Sequence, residues 1–170
     1  MSEHRSAATV VTNIVVCRHC GRKNRVPAAA PGAPRCAQCH QPLPWVTDAD
    51  DRSFTAIVDQ ATVPVLVDLW APWCGPCRMV SPALERLALS HAGQLKLVKV
   101  NVDEAPEVSR RFVVQGIPTL VVVNKGSVVA RQTGAAPEPK LREWLEHALA
   151  CARGAEGGGD PGPRGTGGPL

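Results

Sequence analysis

No apolar run of eighteen or more residues occurs in this chain of 170, so the sequence offers no helix able to span a bilayer. A secretory signal is not expected either. The opening MSEHRSAATVVTNIVVCRHC has only a short apolar patch, broken by Thr12 and Asn13, with an acid near its start and no cleavage-like end. Acids are nearly missing from the first 46 residues: Glu3 stands alone against Arg5, Arg18, Arg22, Lys23, Arg25 and Arg35, which gives +5, whereas the remaining 13 basic and 14 acidic residues give −1. The basic excess therefore belongs to the N-terminal segment, where it keeps a nucleic-acid reading open. Around residues 17–39 core-forming residues are few as well, with Val16, Val26, Leu43 and Trp45 nearly all of them. At about 40 residues such a segment does not fold on its core alone. At the other end, eleven of residues 151–170 are Gly or Pro, and a disordered tail is expected from Cys151 onward. What remains has room for one ordinary domain beside a small accessory one, and 44% hydrophobic residues suffice for a core.

Cysteine is not scarce. Seven in a chain expected to stay in a reducing cytoplasm argue for metal binding and redox chemistry rather than structural disulfides. Cys17 and Cys20, then fifteen residues, then Cys36 and Cys39 form two Cys-x2-Cys turns, the spacing of a tetrahedral four-cysteine zinc site. One structural zinc ion would supply folding energy that the sparse core cannot, and residues 1–42 are expected to form this zinc-binding module. Two disulfides or four free thiols are the alternatives. His19 and His40 adjoin the ligands but are expected to face solvent, because four thiolates already fill the site. Residues 27–34 are expected to be a plain spacer, and Cys151 a bystander thiol.

The remaining pair lies in Val65 to Val80, VLVDLWAPWCGPCRMV, which reads as strand, tight turn and helix. Cys74 and Cys77 are three apart, on neighbouring positions of one helix face. Unpaired backbone N–H groups and the positive end of the helix dipole favour a thiolate there. One sulfur can then attack a disulfide and the other resolve the product. A bare Cys-x2-Cys could equally be half of a metal site; the flanking sequence decides.

Trp-Cys-Gly-Pro-Cys after a buried strand resembles the active site of the thioredoxin family, and the resemblance runs from about Val46 to Ala150. Trp70 and Trp73, the helix-kinking Pro82, Gly116-Ile117-Pro118-Thr119 and Gly134 all stand in matching order. With the cysteine-rich extension, the chain resembles the zinc-carrying thioredoxins of bacteria. The resemblance implies an α/β domain over residues 43–150, the thioredoxin fold with a mixed central sheet flanked by helices, beside a small zinc ribbon-like module. It implies a protein-disulfide reductase with a redox disulfide Cys74–Cys77 and no organic cofactor. Cys74 would attack, Cys77 resolve, and Asp68, a buried carboxylate behind the pair, take the Cys77 proton. Lys99 would either pair with Asp68 or face solvent, Pro118 would be cis, and Trp73 would form part of the docking rim. The implied partners are oxidised client proteins and an NADPH-dependent thioredoxin reductase. A cytoplasmic monomer is expected, with neither a membrane nor nucleic acid as its partner. The competing readings are a zinc-ribbon adaptor on a thioredoxin scaffold and a disulfide oxidase or isomerase.

In chain order, the expected elements are a short strand at Leu43 to Val46 and a helix through Phe54, Ile57, Val58 and Ala61. The active-site strand Val63 to Trp70 and a helix from about Cys74 to Ser90 follow. A strand at Leu95 to Val102, a short helix at Ala105 to Phe112, a hairpin turning at Asn124-Lys125-Gly126 and a last helix from Pro137 complete the domain.

Overall fold

The computed structural model describes residues 12–156 of the chain. A five-stranded mixed sheet lies at its centre, built from β3 (Val46–Asp48), β4 (Val65–Trp70), β5 (Lys96–Asn101), β6 (Thr119–Asn124) and β7 (Ser127–Thr133). Their order is β3-β5-β4-β6-β7. The first three run parallel, while β6 lies antiparallel to β4 and β7 antiparallel to β6. Helices α1 (Gly75–Ser90), α2 (Pro106–Arg111) and α3 (Glu138–Glu156) link or close these strands.

The central strand is apolar on both faces because both are covered. Val65, Val67 and Leu69 pack with Phe54, Ile57, Val108 and Phe112 on one side. Leu66 joins Val80, Ala83, Leu84, Leu87 and Ala88 of α1, and Leu141, Leu145, Ala148 and Leu149 of α3, on the other. Those spacings of three and four place one stripe of each helix against the sheet. The hairpin turns as its sequence predicts: Lys125 and Gly126 both have positive φ, the backbone of a two-residue turn suited to strand twist.

Several boundaries differ from expectation. The first strand of the large sheet begins at Val46 instead of Leu43, since Leu43 and Trp45 are buried under the N-terminal module. The expected helix through Phe54 is a single wide turn, Thr55–Asp59. The expected tail is helical through Glu156, because Cys151 to Glu156 hold only one glycine and Ala152 is buried. Residues 157–170 lie outside the described residues.

The N-terminal module contains a two-stranded antiparallel ribbon, β1 (Thr12–Val16) and β2 (Lys23–Pro27), which its sequence did not announce. Residues 27–34 are a strap rather than a spacer. Ala28 is buried in the core of the larger domain, Ala30 packs against the module core, and the Gly32 N–H donates to Thr62 Oγ1 at 2.9 Å. Trp45 joins the two halves. Its ring lies in the cluster of Cys17, Val26, Cys36 and Leu43, its Nε1–H donates to the Pro27 carbonyl at 2.9 Å, and the buried Lys96 ammonium sits 4.1 Å from the ring centroid. Lys96 Nζ also donates to the Ile57 carbonyl at 2.6 Å, and burial pulls its pKa down to about 8. The module thus abuts the beginnings of β3, β4 and β5, with Asn13 Nδ2 donating to the Val46 carbonyl at 2.8 Å.

Candidate active site and metal centre

The opposite ends of those strands carry the reactive pair. β4 delivers Trp70 and a short turn to Cys74, which caps α1; Pro76 follows within its first turn, where a missing N–H costs nothing. Cys74 and Cys77 are joined as a disulfide, their Cα atoms 5.3 Å apart. The Cys77 backbone N–H points at Cys74 Sγ from 3.2 Å, one of the otherwise unpartnered donors at the helix start. After reduction that N–H and the helix dipole stabilise negative charge on Cys74. Both cysteines are buried, Cys74 at 4% and Cys77 at 2% exposure.

Across the pair lies the Ile117–Pro118 peptide, which is cis, and the Ile117 carbonyl is 3.8 Å from Cys74 Sγ. Gly134, at φ +90°, donates its N–H to the Pro118 carbonyl at 2.8 Å and so ties the end of β7 to this loop. Trp73 is 68% exposed, with its Nε1–H on Asp103 Oδ2 at 2.9 Å, which fixes the indole at the rim. Asp103 was not singled out by sequence; an acid in a loop thirty residues away carries no local signal.

Asp68 lies at 2% exposure, and among the described residues its Oδ1 has no hydrogen-bond partner. Burial raises its pKa to about 6, and the nearby Lys99 charge pulls the other way. Asp68 and Lys99 are register partners on adjacent strands, yet the Lys99 ammonium is held by Ser81 Oγ and by Glu85 Oε1, the latter at 2.8 Å. It therefore neither pairs directly with Asp68 nor points freely to solvent, because α1 offers a closer carboxylate.

The family model described as Thioredoxin matches residues 44–147. The chain belongs to the thioredoxin family. It is a thioredoxin-type protein-disulfide oxidoreductase whose redox pair is Cys74–Cys77. Thioredoxin C-3 of Corynebacterium nephridii is 39% identical over 145 residues, covering 83% of this chain and 99% of that protein. The thioredoxin of Haemophilus influenzae is 43% identical over 100 residues, covering 59% of this chain and 94% of its own length. Thioredoxin 1 of a Nostoc species is 46% identical over 99 residues, or 58% and 92%.

Away from the thioredoxin active site, the sulfurs of Cys17, Cys20, Cys36 and Cys39 all lie within 4.8 Å of one another, and this cluster can hold a metal ion. Cys17 to Cys39 and Cys20 to Cys36 are each 3.5 Å. A tetrahedral ion with metal–sulfur bonds of about 2.3 Å sets its ligands about 3.8 Å apart, so the cluster fits zinc-sized coordination. The two knuckles are alike. Gly21 N–H bonds the Cys17 carbonyl and Cys17 N–H the Arg22 carbonyl, just as His40 bonds Cys36 and Cys36 bonds Gln41. Gly21 (φ +73°) and His40 (φ +60°) occupy the same left-handed position. His19 and His40 are exposed and outside the cluster.

The thiols are electrostatically uneven. The Cys39 N–H, against burial, brings Cys36 down to about 6, while the Cys20 N–H, again against burial, lowers Cys17. For Cys39 the Gln41 N–H pulls downward but is outweighed by burial and the three other sulfurs, which push it up to about 12. Four sulfurs this close cannot all ionise without a cation between them. Asn24 supports the site: its amide reaches Cys36 Sγ at 3.6 Å and its Oδ1 accepts from the Ala37 N–H at 3.0 Å.

Proposed function

We propose that this protein is a zinc-carrying thioredoxin that reduces disulfides in cytoplasmic client proteins, with Cys74 attacking and Cys77 resolving. The carrying observation is the Cys77 N–H aimed at Cys74 Sγ at the start of α1, which makes Cys74 the stabilised thiolate. That thiolate attacks one sulfur of the client disulfide. The client S–S bond breaks, a mixed disulfide forms, and the departing client sulfur takes a proton from solvent. Asp68, whose raised pKa suits a proton acceptor near neutrality, removes the Cys77 proton. The Cys77 thiolate then attacks Cys74 Sγ, closing the intramolecular disulfide and expelling the second client sulfur. The client gains two electrons and thioredoxin loses two. Lys99 tunes Asp68 through its charge, and the Ile117-Pro118-Thr119 loop presents backbone to an extended client segment.

Cys17, Cys20, Cys36 and Cys39 hold one zinc ion, which supplies coordination energy to fold the module. The reducing compartment that keeps these thiols available is the cytoplasm, where an NADPH-dependent thioredoxin reductase returns the active-site disulfide to the dithiol. The enzyme acts as a monomer.

The test is insulin reduction driven by dithiol, together with trapping of clients. Cys77→Ser accumulates mixed disulfides through Cys74, and Cys74→Ser accumulates none. Equal trapping by both variants overturns the assignment of attacker and resolver.

A further inference from the structure

The register of the ribbon places Ile14 opposite Arg25 and Val16 opposite Lys23, so these four side chains share one face. That face is open: Ile14 is 59% and Val16 53% exposed, and Arg25 and Lys23 are also exposed. The other face, with Asn13, Val15, Asn24 and Val26, turns toward the module core and the start of β3. Ordinary surface strands put polar residues outward. This one puts out two β-branched apolar residues, each beside a cation. Arg18 and Arg22 extend the charge past the metal knuckle, and no acid occurs among residues 12–47.

We propose that this ribbon face docks an extended acidic segment of a partner protein that presents apolar side chains and carboxylates together on one face. Apolar residues of the segment would cover Ile14 and Val16, and its carboxylates would meet Lys23 and Arg25. Complementary charge of this kind steers a partner to the surface and fixes its register. Charge disfavours a second copy of this chain docked through the same face, since two such faces would bring four cations together with no acid among residues 12–47 to offset them. Chemistry disfavours nucleic acid. The face carries no aromatic ring on which bases could stack, its one nearby indole, Trp45, is buried, and phosphate gives Ile14 and Val16 no apolar cover. The surface lies at the far end of the sheet from Cys74, so a bound partner leaves the redox site open.

The experiment measures binding of the zinc-loaded full chain, by fluorescence anisotropy, to a labelled peptide of about ten residues in Val-Val-Glu-Glu repeats, which puts both residue types on each face of an extended chain and is long enough to cover a five-residue strand. Peptides of the same pattern with Ser in place of Val (Glu/Ser) and with Lys in place of Glu (Lys/Val), a single-stranded oligonucleotide and a short duplex serve as comparators. The Glu/Val peptide is expected to bind about tenfold or more tightly than each comparator, a difference of ~1.4 kcal/mol. Ile14→Thr with Val16→Thr, and separately Lys23→Glu with Arg25→Glu, are each expected to weaken it by about tenfold, with insulin reduction and zinc content unchanged. Equal binding of the Glu/Ser peptide, binding indifferent to both double variants, or no binding overturns the proposal. Tighter binding of either oligonucleotide assigns the face to nucleic acid, and concentration-dependent dimers abolished by the Ile14 and Val16 changes assign it to a second copy; each overturns it too.

Discussion

Asp68 shows how much one carboxylate costs when placed under a reactive pair. Its pKa of about 6, against 3.8 for a free aspartate, means the folded protein holds the proton more tightly than the unfolded chain. Stability therefore falls as pH rises from about 4 through about 6, and the full penalty, roughly 3 kcal/mol, is present above about pH 7. Asp68→Asn is expected to stabilise the oxidised protein by about 2–3 kcal/mol at pH 8 and by almost nothing at pH 3, measured by urea unfolding. It should also slow client reduction near neutrality. A gain of equal size at both pH values would trace to packing, not charge. Because the Lys99 charge opposes the effect of burial, Lys99→Met is expected to move the Asp68 limb of the pH–rate profile to higher pH. His40 offers a prediction of the opposite kind, since it occupies the left-handed position that glycine fills in the twin knuckle. His40→Gly should raise stability by about 0.5–1 kcal/mol, the left-handed cost less the extra chain entropy of glycine. Chemical denaturation of the zinc-loaded protein would measure it.

Among the elements, those with strong periodicity were legible. The apolar stripe Val80, Ala83, Leu84, Leu87 and Ala88 announces α1, and the unbroken run at β4 announces a strand covered on both faces. The redox pair was legible because its chemistry is local, two thiols and a helix start within four residues. The module strands were not. β2 reads KNRVP, and its burial alternates only because Asn24 turns inward to serve Cys36, an arrangement that no hydropathy pattern encodes. Nor was the strap legible: alanines and prolines look like linker until the larger domain supplies a pocket for Ala28. Trp45 is the element-scale test of that strap. Trp45→Phe keeps the ring but loses the bond to the Pro27 carbonyl and weakens the contact with Lys96, and is expected to cost about 1–2 kcal/mol. Trp45→Ala should cost about 3–5 kcal/mol. Thermal unfolding checks both, and unequal melting of ribbon and sheet signals in the alanine variant would show the halves parting there.

For the whole molecule, the N-terminal module and the larger domain share core packing. Removing residues 1–42 would uncover Leu43, Trp45 and Val63 and strip Ala28 from the larger core. The shortened protein is expected to keep insulin reduction, because Cys74, Asp68 and Pro118 belong to the other end of the sheet, but to melt at a lower temperature. Chelating the metal from the full chain should lower the melting temperature in the same direction by a smaller amount, because the strap and Trp45 remain. Loss of activity at temperatures where the truncated protein is still folded would instead join the two ends functionally.

The separation of the two sulfur sites has its own chemical consequence. A disulfide tethered to four thiolates in one short chain would ordinarily scramble, since the effective concentration of a tethered thiol reaches the millimolar range. Here β4 stands between them as a rigid strut. Six residues at about 3.3 Å each set the reactive pair roughly 20 Å from the strand ends that the knuckles abut. No rotamer change closes that gap, so in the folded protein the Cys74–Cys77 bond is insulated from the four knuckle sulfurs and exchanges its electrons with other molecules.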